Sequence, residues 1–275
     1  MYKRSYIALD NIRVDEFAYS KGISKKALKD IKMKGDILVN GNHQTVRYIL
    51  HPGDEVSYIY PPEENLIPPI DIPLKIVYED DYLMVIDKQK DIACIPTRSH
   101  INKTIANAIS YYYKSISLDS TVHLVNRLDK ETSGLMIVAK YRDIHDLMCK
   151  DITHIYRKYR VHVGGCLEGE GTITLPIYKQ ERQMQRIIDK RGQYACTHYK
   201  SLYASDHKSY IECCLETGRT HQIRVHLSAI GHALVGDDLY GGDLGEFDLT
   251  SIMVAFVHPI TKSIKVIRKC RKITE

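Results

Sequence analysis

With 275 residues, 44% of them hydrophobic and 27% charged, the chain can bury a substantial core, which excludes a disordered polypeptide. A net charge of +5, from 39 basic against 34 acidic residues, permits binding to phosphate without demanding it. No stretch approaches the ~20 apolar residues of a membrane span, and the opening MYKRSYIALDNIRVDEF lacks the apolar run of a secretion signal, so a cytoplasmic protein without membrane contact is expected. The seven cysteines form no CxxC pair and are odd in number, the pattern of reduced thiols. Trp is absent and Phe scarce, while Tyr reaches 20. A ring with a polar tip suits either a half-wet binding groove or a core position.

Residues 1–60 predict a small unit. Ser24 is a good helix cap for SKKALKDIKMKG, with Ala27, Leu28 and Ile31 at helical spacing and Gly35 closing the helix. Lys25, Lys26, Lys29 and Lys32 occupy its polar surface. Two apolar runs flank Asn40–Gly41, a strong hairpin signal, and HPGDEVSY adds a turn and a strand. The lysines are either a solvated face or a clamp on phosphates. Residues 61–73, PPEENLIPPIDIP, carry five prolines and predict an extended linker.

Residues 74–275 predict one larger domain. LKIVYEDDYLMVIDK reads as two strands around an acidic turn, and TIANAISYYYKSI as a helix capped by Thr104. LMIVAK has the length of a buried strand, YRDIHDLMCKDI returns to helical spacing, and KYRVHVGG is a strand stopped by glycines. RTHQIRVHLSAIG predicts a helix ended by Gly231, and SIMVAFVHP and SIKVIRK predict late strands. The irregular alternation, with several hairpins, points to a mixed, largely antiparallel α+β fold and not to a doubly wound parallel sheet.

Two polar runs stand out. NRLDKETSG is a charged loop before an apolar strand, placing Asp129 between Arg127 and Lys130. TGRTHQIRVHLSAIGH gathers Arg219, Arg224, His221, His226 and His232. If this run is helical from its start, His221 and Arg224 share a face. No HExxH is present and the histidine spacing suits a metal poorly, so no metal site is expected. Arginine is well shaped for pairing with a carboxylate, and one of these arginines is expected to orient Asp129.

Taken together, NRLDKETSGLMIVAK, KYRVHVGG, TGRTHQIRVHLSAIGHALVGDDLYG, AFVHPIT and IVYEDDYLMVIDK resemble the ordered motifs of the RluA-type pseudouridine synthases, and the resemblance covers residues 74–275. RVDEF, ISKKALKDIKMKGDILVNG and HPGDEV resemble the small RNA-binding module first known from a small-subunit ribosomal protein. The family resemblance implies an RNA isomerase that flips a uridine out of its stack and needs no cofactor. It implies Asp129 as the catalytic carboxylate, Tyr159 stacking on the base, and Arg224 in a salt bridge to Asp129 with Ile223 as an apolar wall. It also implies Arg127 in contact with RNA; Arg219 is basic and close by in sequence. Asn126 stands where the family has His, and QKDIACIP lacks the family's Pro-Ala-Gly turn. Asn cannot carry a proton charge, so an altered fit to RNA is expected at Asn126.

The expected partner is RNA, ribosomal in preference to transfer RNA, with a monomer sufficing. An arginine beside Asp129 is expected to hold its pKa down against burial. The rival readings are an inactive RNA-binding protein, encouraged by Asn126, and a hydrolase pairing Asp129 with a histidine.

Overall fold

The computed structural model describes residues 2–97, 102–150 and 155–269. The first unit comprises β1 (Lys3–Ile7), β2 (Ile12–Arg13), α1 (Val14–Ser20), α2 (Lys25–Lys34), β3 (Asp36–Val39), β4 (Asn42–His43), β5 (Ile49–Leu50) and β6 (Glu55–Ile59). Ser24 caps α2 as expected, its hydroxyl accepting from the Ala27 amide at 3.1 Å. Asn40 and Gly41 both take positive φ, 50° and 81°, the geometry of the two-residue turn that joins β3 to β4. Leu28 and Ile31 of α2 pack with Val14, Phe17, Val39 and Val56 into a core of the unit's own. Each such side chain contributes about 1.5–3 kcal/mol when fully buried.

The larger unit comprises β7 (Ile76–Glu79), β8 (Leu83–Lys88), α3 (Ile105–Ser115), β9 (His123–Leu124), β10 (Ser133–Ala139), α4 (Arg142–Cys149), β11 (Tyr156–Gly164), β12 (Glu170–Ile173), β13 (Ile177–Lys179), β14 (Arg186–Ile188), β15 (Thr197–Ala204), β16 (Lys208–Leu215), α5 (Gln222–Ala229), β17 (Thr250–Val257) and β18 (Ile264–Arg268). A ten-stranded sheet runs β12-β15-β16-β11-β17-β10-β8-β7, with β9 beside β10 and β18 beside β17. Only the β10–β17 pairing is parallel among the described residues; the fold is mixed, largely antiparallel α+β.

The continuous apolar runs of β8 and β10 are explained by burial on both faces. Met84, Ile86, Met136 and Val138 pack with Ile105 and Ile109 of α3, while Leu83, Val85, Leu135 and Ile137 pack with Ile144 and Met148 of α4. Strand side chains alternate between faces, so neither face can be polar here. Gly134 sits where β10 meets β17; a Cβ there would collide with the Ser251 carbonyl.

The proline-rich segment lacks helix and strand but is fastened to the larger unit. Asn107 donates to the Pro68 carbonyl at 2.8 Å, Ser110 donates to the Ile67 carbonyl at 2.7 Å, and Glu63 pairs with His123 at 2.6 Å. The first unit also touches α4 directly. Arg4 pairs with Asp143 at 3.0 Å, both side chains almost wholly buried, and Tyr2 stacks on Tyr141 at 3.7 Å between ring centroids. These contacts, formed across 139 residues of sequence, bind the two units more closely than the expected linker alone would.

Candidate active site

The loop between β9 and β10 and the segment entering α5 form opposite walls of a cleft of about 640 Å³. Asp129, Arg127, Asn126, Tyr159, Arg219, Ile223 and Arg224 all line it. The loop is held by its carbonyls. The Cys94 thiol donates to the Leu128 carbonyl at 3.0 Å. The buried Lys88 ammonium donates to the carbonyls of Gln89 at 2.9 Å, Lys130 at 3.0 Å and Thr132 at 2.7 Å. Asp129 is thus flanked by anchored backbone on both sides. Nothing in the sequence marked Lys88 beyond its place at the end of a strand.

Arg224 is buried at 5% exposure, but its partner differs from the expected one. It grips the wholly buried Asp237 bidentately, Nε to Oδ2 at 2.8 Å and Nη2 to Oδ1 at 2.7 Å. Its remaining ion-pair contact among the described residues is Glu131, at 3.8 Å. The expected direct salt bridge to Asp129 is absent among the described residues. A guanidinium this deeply buried needs a partner that fills its fork, and Asp237 does so while also accepting from the backbone amides of Leu239 and Tyr240. Arg224 also lies over the rings of Tyr240 and Phe247, each centroid 5.2 Å away.

Arg224 therefore reaches Asp129 through the field and not through contact, and burial prevails at the carboxylate. Burial pushes the Asp129 carboxyl above the ordinary range, against the pull of His221, Arg224 and Lys88 and with the push of Glu131. The expectation of a depressed pKa is corrected accordingly. Burial likewise lowers the His221 imidazole, against the pull of Asp129. His221 does not belong to α5: it caps the helix in a left-handed conformation, φ 56°, and its Nδ1 meets the Tyr240 hydroxyl at 2.9 Å.

Tyr159, on β11, is 5% exposed. Burial pushes its phenol up to about 12, with the Asp129 charge adding to the effect and Arg157 opposing it. The hydroxyl stays protonated at neutral pH, able to donate a hydrogen bond and unsuited to act as a base. Ile223 is buried beside it in the wall, whereas Arg127 and Arg219 are exposed. Arg219 donates from Nε to the Tyr194 carbonyl at 3.0 Å. Asn126 is turned inward: its Oδ1 accepts from the Ile137 amide at 2.7 Å, and its buried Nδ2 has no partner among the described residues. Its side chain ties the loop to β10 from a position that also lines the cleft. Lys25, Lys26, Lys29 and Lys32 are all exposed on α2 and make no ion pair among the described residues.

An anchored acidic loop, a buried tyrosine and a buried arginine thus share one cleft on a mixed, largely antiparallel sheet. The model of the RNA pseudouridylate synthase family matches residues 82–229. The chain is 42% identical over 260 residues to an uncharacterized RNA pseudouridine synthase, YjbO, of Bacillus subtilis, covering 90% of this chain and 92% of that one. It is 34% identical over 263 residues to the ribosomal large subunit pseudouridine synthase D of Vibrio cholerae, covering 86% and 80%. Among solved structures, human RNA pseudouridylate synthase domain containing 1 superposes with a TM-score of 0.58 at 24% identity, covering 72% of this chain and 84% of that one, which shows the shared fold. The chain belongs to the RNA pseudouridylate synthase family. It is an isomerase acting on uridine in RNA, so the reading as an inactive binding protein is not favoured. Among the described residues no helix is long and apolar enough to cross a membrane.

Proposed function

We propose that Asp129 is the catalytic carboxylate and that the substrate is ribosomal RNA, with Tyr159 and Ile223 forming the seat of the flipped base. The observation that carries this is the position of Asp129, on a loop anchored at both sides, within a cleft whose size suits one small ligand. Two chemical acts fit a carboxylate there: attack on the anomeric carbon, or removal of the neighbouring ribose proton. Both require Asp129 ionised. Flipping the uridine costs a few kcal/mol, and an aromatic stack returns about 1–3 kcal/mol. The protonated Tyr159 serves as that platform and as a hydrogen-bond donor to the detached ring. Arg224, fixed by Asp237, supplies a stationary positive field toward the developing negative charge. Arg127 and Arg219, exposed at the rim, meet phosphate or ribose.

Ribosomal RNA as substrate is supported by relatives named for the large ribosomal subunit. The lysines of α2 are proposed as a phosphate clamp. Total RNA from a strain lacking the gene, mapped for pseudouridine, should lose one or a few sites in ribosomal RNA. Wild-type protein should restore them and Asp129→Asn should not. Restoration by Asp129→Asn would overturn the catalytic assignment, and a missing site confined to transfer RNA would overturn the substrate. Replacing Lys25, Lys26, Lys29 and Lys32 by Gln should flatten the salt dependence of RNA affinity, by about 0.7–0.9 in slope for each phosphate left unneutralised. An unchanged slope would refute the clamp.

A further inference from the structure

We propose that Cys196, His198 and Glu216 form a binding site for one divalent metal ion of the zinc type, at the rim of the cleft and apart from Asp129. Cys196 lies just ahead of β15 and His198 lies on it, two residues apart, so their side chains leave the same face. Glu216 follows β16, and its amide donates to the Cys196 carbonyl at 3.3 Å. The pairing of two antiparallel strands thus brings Glu216 to the two neighbouring donors on and beside β15. Their ligand atoms all lie within 4.8 Å of one another.

The geometry suits the ion in detail. Zinc bonds thiolate sulfur at about 2.3 Å and imidazole nitrogen at about 2.0–2.1 Å, so at a tetrahedral angle the two donors stand about 3.6 Å apart. The Cys196 Sγ to His198 Nε2 distance is 3.7 Å. The Glu216 Oε1 lies 2.7 Å from the same Nε2; it must retreat to about 3.3 Å to share a metal, which its exposed side chain can do. The far side of the imidazole is already fixed: Nδ1 meets the Thr172 hydroxyl at 2.8 Å. A metal-bound histidine is oriented by a partner of this kind on its other nitrogen. One thiolate, one imidazole and one carboxylate favour a borderline ion such as zinc or cobalt over magnesium or calcium. Three protein ligands leave a fourth position for water.

The site would fasten the segment that carries Thr217, Gly218 and Arg219 into the cleft wall. Glu216 itself lines the cleft, and the Cys196 carbonyl accepts from Gln222 of α5 at 2.9 Å. The proposal is independent of the role given to Asp129. Its test is titration of the full chain, stripped with chelator and kept reduced, with cobalt(II) alone. The expected result is a thiolate-to-cobalt charge-transfer band with tetrahedral visible bands, saturating at one equivalent and displaced by zinc. Cys196→Ser should abolish the charge-transfer band. Glu216→Gln, at an exposed position, should weaken binding at least tenfold without affecting folding. Thr172→Val leaves all three ligands in place and should weaken binding about 10–100-fold. A saturable band that survives Cys196→Ser, cobalt spectra lacking thiolate character, or equal affinity in Glu216→Gln and wild type would overturn the site.

Discussion

Replacing Lys88 by Met keeps the length of the side chain and removes the ammonium that holds the loop after Asp129. That ammonium makes three hydrogen bonds, to the carbonyls of Gln89, Lys130 and Thr132, and the residue is 1% exposed. Hydrogen bonds from a charged donor contribute about 1.5–3 kcal/mol each, roughly 4–9 kcal/mol together. Against this, taking the ammonium out of water costs several kcal/mol, the same burial that lowers its pKa. The difference predicts a net loss of about 2–3 kcal/mol, readable by urea denaturation. The functional effect should be larger in proportion, because the carbonyls of Lys130 and Thr132 lose their anchor directly after Asp129. A displacement on the scale of 1 Å at a reacting group costs about 10²-fold in rate. Single-turnover pseudouridine formation on RNA from the deletion strain measures it. A Lys88→Met protein with wild-type stability and rate would refute the idea that this lysine preorganises the loop.

Asp129 carries a raised pKa from burial, so its ionised form opposes folding at neutral pH. Asp129→Asn should therefore raise Tm at neutral pH and above, and the gain should shrink as pH falls through the raised pKa and vanish below the ordinary aspartate value of about 3.9; a Tm difference independent of pH would contradict this. For the same reason the acidic limb of the pH–rate profile should lie above the range of a free aspartate, and a limb at or below that range would argue against Asp129 as the group that must ionise. Asp237→Asn leaves Arg224 buried with half its fork unmet and should cost about 3–5 kcal/mol, with a fall in kcat exceeding any change in KM; unchanged kcat would show that Arg224 needs no such orientation. Asp143→Asn removes the buried charge partner of Arg4 and should hasten proteolytic cleavage within residues 61–73, while leaving the core of the first unit folded; an unchanged cleavage rate would show that the pair does not hold the two units together.

Short-range physics was legible in the sequence. Ser24 and Thr104 announced the starts of α2 and α3 because a cap bonds an amide three residues away. Asn40–Gly41 announced its turn because both residues tolerate positive φ. The unbroken apolar run LMIVAK announced β10 as a buried strand, and the packed sheet buries it on both faces. The cleft-lining residues were found through motif resemblance, with Asp129, Tyr159, Ile223 and Arg224 brought into one cleft from distant segments of the chain.

Partner choice was another matter, because it depends on distances that only the packed sheet sets. The sequence offered Arg224 several carboxylates, and tertiary packing selected Asp237, whose wholly buried carboxylate matches the guanidinium fork. That choice left Asp129 without a direct cation among the described residues, and burial then moved its pKa opposite to expectation. Lys88 became visible as a clasp only when β8 lay beside the loop. Asn126, which the sequence marked only as a departure from the family pattern, ties the loop to β10 through the Ile137 amide. The helix start moved to Gln222 because His221 takes a left-handed backbone that no propensity argument anticipates. Capping, turn and periodicity signals act within a few residues and so survive in the sequence. Ion-pair selection and desolvation act across the whole fold, and only the tertiary structure decided them.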